Sequence, residues 1–113
     1  MRQLFLALLL TVAAPAAPAI TSIADFSCAE WAARRAGDGD VDAPQMWLSG
    51  FMTALATALR VDVLAITDAP AVFTWMDGWC AEHPQEQLSS GGQHLFNELL
   101  GRLPRSRPYL SAR

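Results

Sequence analysis

The stretch that decides the fold is W-L-S-G-F-M-T-A-L-A-T-A-L, residues 47–59 of the 113-residue chain. It contains no charged side chain, and its large apolar residues recur three and four positions apart, at Leu48, Phe51, Met52, Leu55 and Leu59. This spacing places them on one broad face of an α-helix. The stretch is too short to cross a bilayer, which takes about 20 apolar residues. It therefore predicts a central core helix whose apolar face is covered by other parts of the protein.

The chain begins with a pattern typical of a secretory signal peptide. Arg2 supplies a positive charge, an apolar run follows at residues 4–14, and a segment of small residues ends at Ala19 with the A-x-A form of a cleavage site. An uncleaved membrane anchor is the weaker interpretation, because Pro15 breaks the apolar run well short of a span. We therefore expect residues 1–19 to be a leader cut after Ala19, with no stable membrane insertion.

Composition limits what the remaining residues can be. Residues 20–113 carry seven Arg and no Lys against eleven acidic side chains, a net charge of −4. A mildly acidic chain without a basic stripe is a poor candidate for binding nucleic acid. The length suits one small domain, which we place at residues 20–103. Residues 104–113 contain two prolines and no periodicity, so we expect a disordered tail.

Cys28 and Cys80 are the only two cysteines. In a small exported domain such a pair usually forms a disulfide, and free structural thiols are the alternative. A metal site needs further ligands, and His83 and His94 stand eleven residues apart with no second cysteine pair near them. The acidic run D-G-D-V-D at residues 38–42 lacks the Gly and Glu that an EF-hand requires at its sixth and twelfth positions. We expect no metal and no cofactor.

Capping signals place the first two helices. The first helix is predicted to begin at Asp25 or at Ser27, because Ser27 followed by Glu30 three residues later has the form of a capping box. The second helix is predicted to have Asp42 as its cap and Pro44 in its first turn.

Similar signals place the last two helices. Thr67 or Asp68 is predicted to cap the third helix, which must stop just before Pro84. Pro84 is suited to open the fourth helix, although glycines at residues 91–92 lower its helix propensity. These glycines permit close helix packing, a bend, or a late start. The apolar connection at residues 61–66 is either extended or a loose turn.

Several motifs occur in a fixed order along the chain: C-A-E-W at residues 28–31, W-L-S-G-F at residues 47–51, W-C-x-x-H-P at residues 79–84, and a final helix beginning near Leu88. This layout resembles the HdeA/HdeB family of periplasmic acid-stress proteins, over about residues 27–100. The resemblance implies an all-α four-helix bundle in the periplasm, with one disulfide tying the first helix to the third. The chain departs from the family in having no Lys, which the acid chaperones of that family use to stay soluble and cationic.

The resemblance implies an acid-stress chaperone that binds unfolded client proteins through an apolar surface exposed at low pH. Acidification to about pH 2 moves the charge of residues 20–113 from −4 to about +10, which pushes packed elements apart. We expect clients to bind at Trp47, Phe51, Met52 and Leu55. The alternative is a periplasmic protein with a single partner, such as an inhibitor or immunity protein against a toxin. A homodimer packed through the same face is also open.

Catalysis is not expected. Ser49 lies in L-S-G without the G-x-S-x-G elbow of a serine hydrolase. Asp77 and Glu98 are candidates for paired carboxylates, but both positions are equally natural on a solvated helix face. No nucleophile, base and orienting group can be assembled from the sequence, so we assign no catalytic residue.

Overall fold

A computed structural model describes residues 21–104 and has the predicted all-α architecture. Its four α-helices are α1 (Cys28–Arg35), α2 (Asp42–Leu59), α3 (Ala69–Glu82) and α4 (Leu88–Arg102). A short 3-10 helix, Val63–Ile66, joins α2 to α3, which decides the conformation that the sequence leaves open there. The predicted leader at residues 1–19, and all of the predicted tail except its first residue, lie outside the described residues.

Two of the predicted helix caps are confirmed. At α1, the Glu30 backbone N–H donates to Ser27 Oγ over 3.1 Å, and the Ser27 N–H donates to the Glu30 carboxylate over 2.8 Å. Together these bonds form a complete capping box, so α1 begins after Ser27. At α3, Asp68 accepts the Ala71 N–H over 2.8 Å, and Pro70 occupies the first turn.

The predicted cap of α2 is wrong. Asp42 is the first residue of the helix, and Val41 stands at the cap position without a side-chain hydrogen bond. The carboxylate that acts there belongs to Asp40, which accepts the Asp42 N–H over 2.9 Å. An aspartate that accepts an N–H two residues ahead forms a turn of its own, and here this turn leads directly into the helix.

α4 begins at Leu88, where the family resemblance placed the final helix, and not at Pro84, four residues earlier, where the proline signal placed its opening. The intervening residues are bonded instead to the segment before α1. The Cys28 N–H donates to the Glu86 carbonyl over 2.8 Å, and the Leu88 N–H donates to the Phe26 carbonyl over 2.9 Å. These bonds between two distant parts of the chain hold residues 83–87 as a turn, a tertiary effect that local propensity does not reveal.

The element at the centre of the packing is α4 rather than α2. α4 packs against α2, α3 and the 3-10 helix, and six of its residues are buried. α2 contacts mainly α4 and the 3-10 helix, while α1 packs on α3. α2 contributes to the core, but it is not the central helix that the sequence predicted.

Two glycines allow α4 its central position. A Cβ atom on Gly91 would lie 2.6 Å from Met76 Sδ, and one on Gly92 would lie 2.8 Å from the ring of Phe51. Both distances are shorter than real contacts of a Cβ atom. The interpretation of residues 91–92 as a close-packing site is thus confirmed: α3 approaches α4 at Gly91, and α2 approaches it at Gly92.

The Cys28–Cys80 disulfide is present and links α1 to α3, as expected. The two Cα atoms are 5.0 Å apart, and both cysteines are buried in the core. The bond spans a sequence separation of 52 residues. Closing a loop of this length stabilises the folded protein by about 4 kcal/mol in the chain-entropy estimate.

Candidate functional site

Three of the four residues predicted to bind clients lie at the surface, and one belongs to the core. Trp47, Phe51 and Leu55 are half-buried on α2, whereas Met52 is only 1% exposed. The rings of Trp47 and Phe51 stack with centroids 5.2 Å apart and planes 12° from parallel. Trp47 Nε1 donates to the Ile23 carbonyl over 2.9 Å, so the segment before α1 orients the indole. Met52 can contact a partner only if the surrounding helices move.

Phe51 and Leu55 line an apolar groove between α2 and α4. Its volume is about 290 Å³, and its walls are formed by Ser22, Phe51, Leu55, Leu59, Gln93, Phe96 and Asn97. Leu59, at the end of α2, is 57% exposed. A groove of this size and lining suits one or two apolar side chains of a protein partner.

A larger groove of about 660 Å³ lies on the other side of α2, against the 3-10 helix. Its floor is aliphatic, and Arg60 and Asp62 supply its charged groups. Ile66, one of its lining residues, is 41% exposed. The lining residues are Thr53, Ala56, Thr57, Arg60, Val61, Asp62, Leu64, Ala65, Ile66 and Leu103.

The outward face of α2 carries few groups that need water. The hydroxyls of Ser49, Thr53 and Thr57 each donate to the backbone carbonyl four residues earlier, over 2.8 Å. Their donors are thus used within the helix, which lowers the cost of covering this face. Met46 is 74% exposed on the same helix. This face is suited to contact with protein.

A network around Asp77 attaches α1 to α3. The carboxylate accepts Trp31 Nε1–H over 2.8 Å, and it also accepts two bonds from the Arg35 guanidinium, at 2.9 and 2.6 Å. Arg35 in turn lies over the indole of Trp31, with Cζ 5.6 Å from the ring centroid. We call these three residues the Asp77 network. It places a charged group beside Trp31, which is only 1% exposed.

Two carboxyl groups that support α1 have lowered pKa values. Partial burial acts to raise the pKa of Asp77, but the hydrogen bonds from Arg35 and Trp31 and the charge of Arg35 outweigh it, so the net shift is downward. The pKa of Glu30 is lowered by its bonds to the Ser27 backbone and hydroxyl. A carboxyl group with a lowered folded-state pKa stabilises the fold at neutral pH, and that contribution is lost below about pH 4. The Asp77 charge therefore makes the attachment of α1 to α3 acid-sensitive, and the Glu30 charge does the same for the capping box at the start of α1.

A second aromatic cluster lies on the outer side of α3 and α4. Trp75 and Trp79 stack with centroids 6.2 Å apart, and His83 stacks on Trp79 at 4.4 Å. His94 of α4 lies 5.6 Å from the Trp79 ring. The Trp75 Nε1–H donates to the Glu98 carboxylate over 2.5 Å. We call Trp75, Trp79, His83 and His94 the aromatic face.

Sequence reasoning did not single out this cluster, although its signal was available. The residues Trp75, Trp79 and His83 recur every four positions, which places them along one side of a helix. The same interval describes residues that pack in a core, so the spacing alone cannot separate the two cases. The Asp77 network left no local signal at all, because Trp31 and Asp77 are 46 residues apart.

The groups considered for catalysis have other partners. Ser49 Oγ donates to the Gln45 carbonyl, while Asp77 and Glu98 each accept the N–H of a different tryptophan. Within residues 21–104, no three His, Cys, Asp or Glu side chains lie close enough together to hold a metal ion. No helix of this region is long and apolar enough to cross a membrane.

The site is thus a set of apolar grooves and aromatic side chains on a small four-helix, all-α protein with one disulfide. A buried disulfide is consistent with an oxidising compartment. Comparisons of the sequence with protein-family models and curated proteins, and of the fold with solved structures, gave no match.

Proposed function

We propose that this protein is a periplasmic acid-stress protein with chaperone-like activity, which binds unfolded clients through an apolar surface exposed at low pH. The observation that carries the proposal is the Asp77 network. It holds α1 on α3, over the contact between Trp31 and Phe73, through a carboxylate that loses its charge in acid. The leader pattern at residues 1–19 and the disulfide support export to an oxidising compartment.

The acid response follows from the contacts of α1. Protonation of Asp77 removes the charge that compensates Arg35, and protonation of Glu30 weakens the capping box. Trp31 packs against Phe73 of α3 with ring centroids 5.9 Å apart. Movement of α1 uncovers both rings, while the disulfide keeps α1 attached to α3. Rising positive charge over the whole chain acts in the same direction.

Clients would then meet two apolar surfaces. Trp31 and Phe73 become accessible when α1 moves, and Trp47, Phe51 and Leu55 already line or border the groove between α2 and α4. Large aromatic side chains provide much contact area without requiring one client sequence. This combination suits the binding of unfolded chains.

Light scattering of an aggregating model protein between pH 2 and pH 4, with and without this protein, tests the proposal. Binding of a hydrophobic dye measures the exposed surface in parallel. We expect aggregation to be suppressed and dye binding to begin at a higher pH in Asp77→Asn than in the unmodified protein. The matched control Asp38→Asn removes the same charge from the loop before α2. Absence of suppression, together with dye binding that does not change with pH, would contradict the proposal.

A single-partner protein, such as an inhibitor or immunity protein against a toxin, is a second candidate. It is favoured by surfaces that are open without any movement of α1: the groove of about 660 Å³ and the exposed side chain of Met46. A second copy of the chain packed on α2 is a related arrangement. Pull-down at neutral pH with the unmodified protein and with Met46→Glu tests for one partner, and the solution mass at neutral and acid pH tests for a dimer.

A further inference from the structure

Charge is distributed unevenly along the described residues. Residues 61–101 contain six acidic side chains and no Arg or Lys. This region includes the 3-10 helix, all of α3 and nearly all of α4. The aromatic face is formed from this acidic interval, in which Asp77 and Glu98 pair with arginines of other segments, Arg35 and Arg102. A partner with positive charge is attracted to such a surface at neutral pH.

The Asp77 network shows how this chain itself binds a guanidinium group. A tryptophan N–H donates to a carboxylate, and an arginine pairs with that carboxylate while lying over the same indole. The arrangement combines an ion pair with a cation–π contact. In the Asp77 network, the tryptophan, the carboxylate and the cation all belong to this chain.

The aromatic face repeats only part of this arrangement. The Trp75 N–H donates to the Glu98 carboxylate over 2.5 Å, as the Trp31 N–H does to Asp77. Arg102 pairs with the other oxygen of Glu98 over 3.1 Å. Within residues 21–104, however, no cation lies over the ring of Trp75 or Trp79; the only two cation–π contacts there involve Phe26 and Trp31. The indole and the carboxylate are thus arranged as in the Asp77 network, but Arg102 pairs with Glu98 without stacking on the indole.

We propose that the aromatic face and Glu98 form a binding site for a cationic segment of another polypeptide, in which an Arg or Lys side chain lies on the indoles and pairs with Glu98. This site is separate from the apolar surface assigned to unfolded clients, and it acts at neutral pH without movement of α1. Both tryptophans are half-buried, so their rings are held in position and only part of each surface is available to the partner.

The test is fluorescence anisotropy at pH 7 with a labelled peptide of alternating Arg and Ser, and with the same peptide carrying uncharged citrulline in place of Arg. We expect the Arg peptide to bind and the citrulline peptide not to bind. Glu98→Gln keeps an acceptor for the Trp75 N–H but removes the charge, and it should weaken binding about threefold. Trp75→Leu removes the ring and should weaken binding by a similar factor, about threefold. The control Asp38→Asn removes the same charge elsewhere and should leave the affinity unchanged.

Three outcomes overturn the proposal. Equal binding of the citrulline peptide excludes recognition of a cation. An equal loss of affinity in Asp38→Asn and Glu98→Gln would mean that the peptide responds to the net charge of the protein and not to Glu98 itself. Replacement of Arg105, Arg107 and Arg113 by Gln makes the whole protein more acidic, so it is compared in two backgrounds. Tighter binding in the unmodified background but not in Trp75→Leu would show that the chain's own end, rather than a foreign segment, occupies the site. Thermal unfolding of each variant by circular dichroism confirms that a loss of binding is not a loss of folding.

Discussion

Asp77→Asn separates the charge of the Asp77 network from its shape. Asparagine has nearly the same size, and its oxygen can still accept the Trp31 N–H, but it cannot form an ion pair with Arg35. The Arg35 and Asp77 side chains are 32% and 39% exposed, so solvent screens their attraction. We therefore expect a loss of about 1 kcal/mol in the free energy of unfolding at pH 7.

The Ala substitution at the same position tests the buried donor. Asp77→Ala leaves the Trp31 N–H without its acceptor in the interior, which adds about 1 to 3 kcal/mol to the loss. Urea unfolding followed by circular dichroism, with the disulfide intact, measures both variants at pH 7 and again near pH 2.5. Because the folded-state pKa of Asp77 is lowered, the stabilising effect of its charge is present above about pH 4 and fades as the pH falls further. The difference between unmodified protein and Asp77→Asn should therefore shrink in acid.

Two results would refute this reasoning. The first is equal stability of Asp77→Asn and the unmodified protein at pH 7, which would mean that the ion pair contributes nothing. The second is a loss of the same size at both pH values, which would mean that the carboxylate charge is not its cause. Asp38→Asn, in the loop before α2, should remain within about 0.5 kcal/mol of the unmodified protein.

Other substitutions examine the caps, the close packing and the disulfide. Ser27→Ala removes half of the capping box and should cost about 1 kcal/mol in urea unfolding, with a smaller loss in acid, where Glu30 is protonated. Gly91→Val forces a side chain against α3 and should cost about 1 to 3 kcal/mol or more, whereas Gly50→Ala, whose Cβ meets nothing within 4 Å, should gain up to about 1 kcal/mol in the same assay. Reduction of the disulfide should cost about 4 kcal/mol, measured by urea unfolding with and without reductant.

The sequence predicts this fold best where the signal is local. The capping box at Ser27, and the Asp68 cap followed by Pro70 in the first turn, each depend on residues within one helical turn. Both are present among the predicted alternatives. The error at Asp42 is also a local one. Asp40 and Asp42 have the same side chain two positions apart, and composition alone cannot show which of them folds back onto the backbone.

The central position of α4 was not predictable from hydrophobicity. α2 has the longer uncharged run, but much of its circumference carries small residues that remain exposed. α4 has fewer apolar residues and the adjacent glycines Gly91 and Gly92, so its sequence looks weaker. Those glycines are what bring it close to Met76 on one side and Phe51 on the other. The absence of side chains at these two positions thus lets α4 make more contacts with its neighbours, an effect that hydrophobic periodicity does not capture.

In the acid response that we propose, the disulfide would limit how α1 can move. Protonation of Asp77 and Glu30 weakens the hydrogen bonds and the ion pair that their carboxylates make, but it leaves the disulfide between Cys28 and Cys80 intact. Because Cys28 is the first residue of α1, that end of the helix cannot leave α3. α2 and the 3-10 helix lie within the loop that this bond closes, so the intact bond limits how far this part of the chain can expand. Acid can therefore uncover Trp31 by turning the far end of α1 away, where Arg35 has lost its partner, without releasing the chain as a whole. Under this proposal, neutralisation would restore the charge of Asp77 while the disulfide still holds α1 to α3, so that the ion pair with Arg35 can form again.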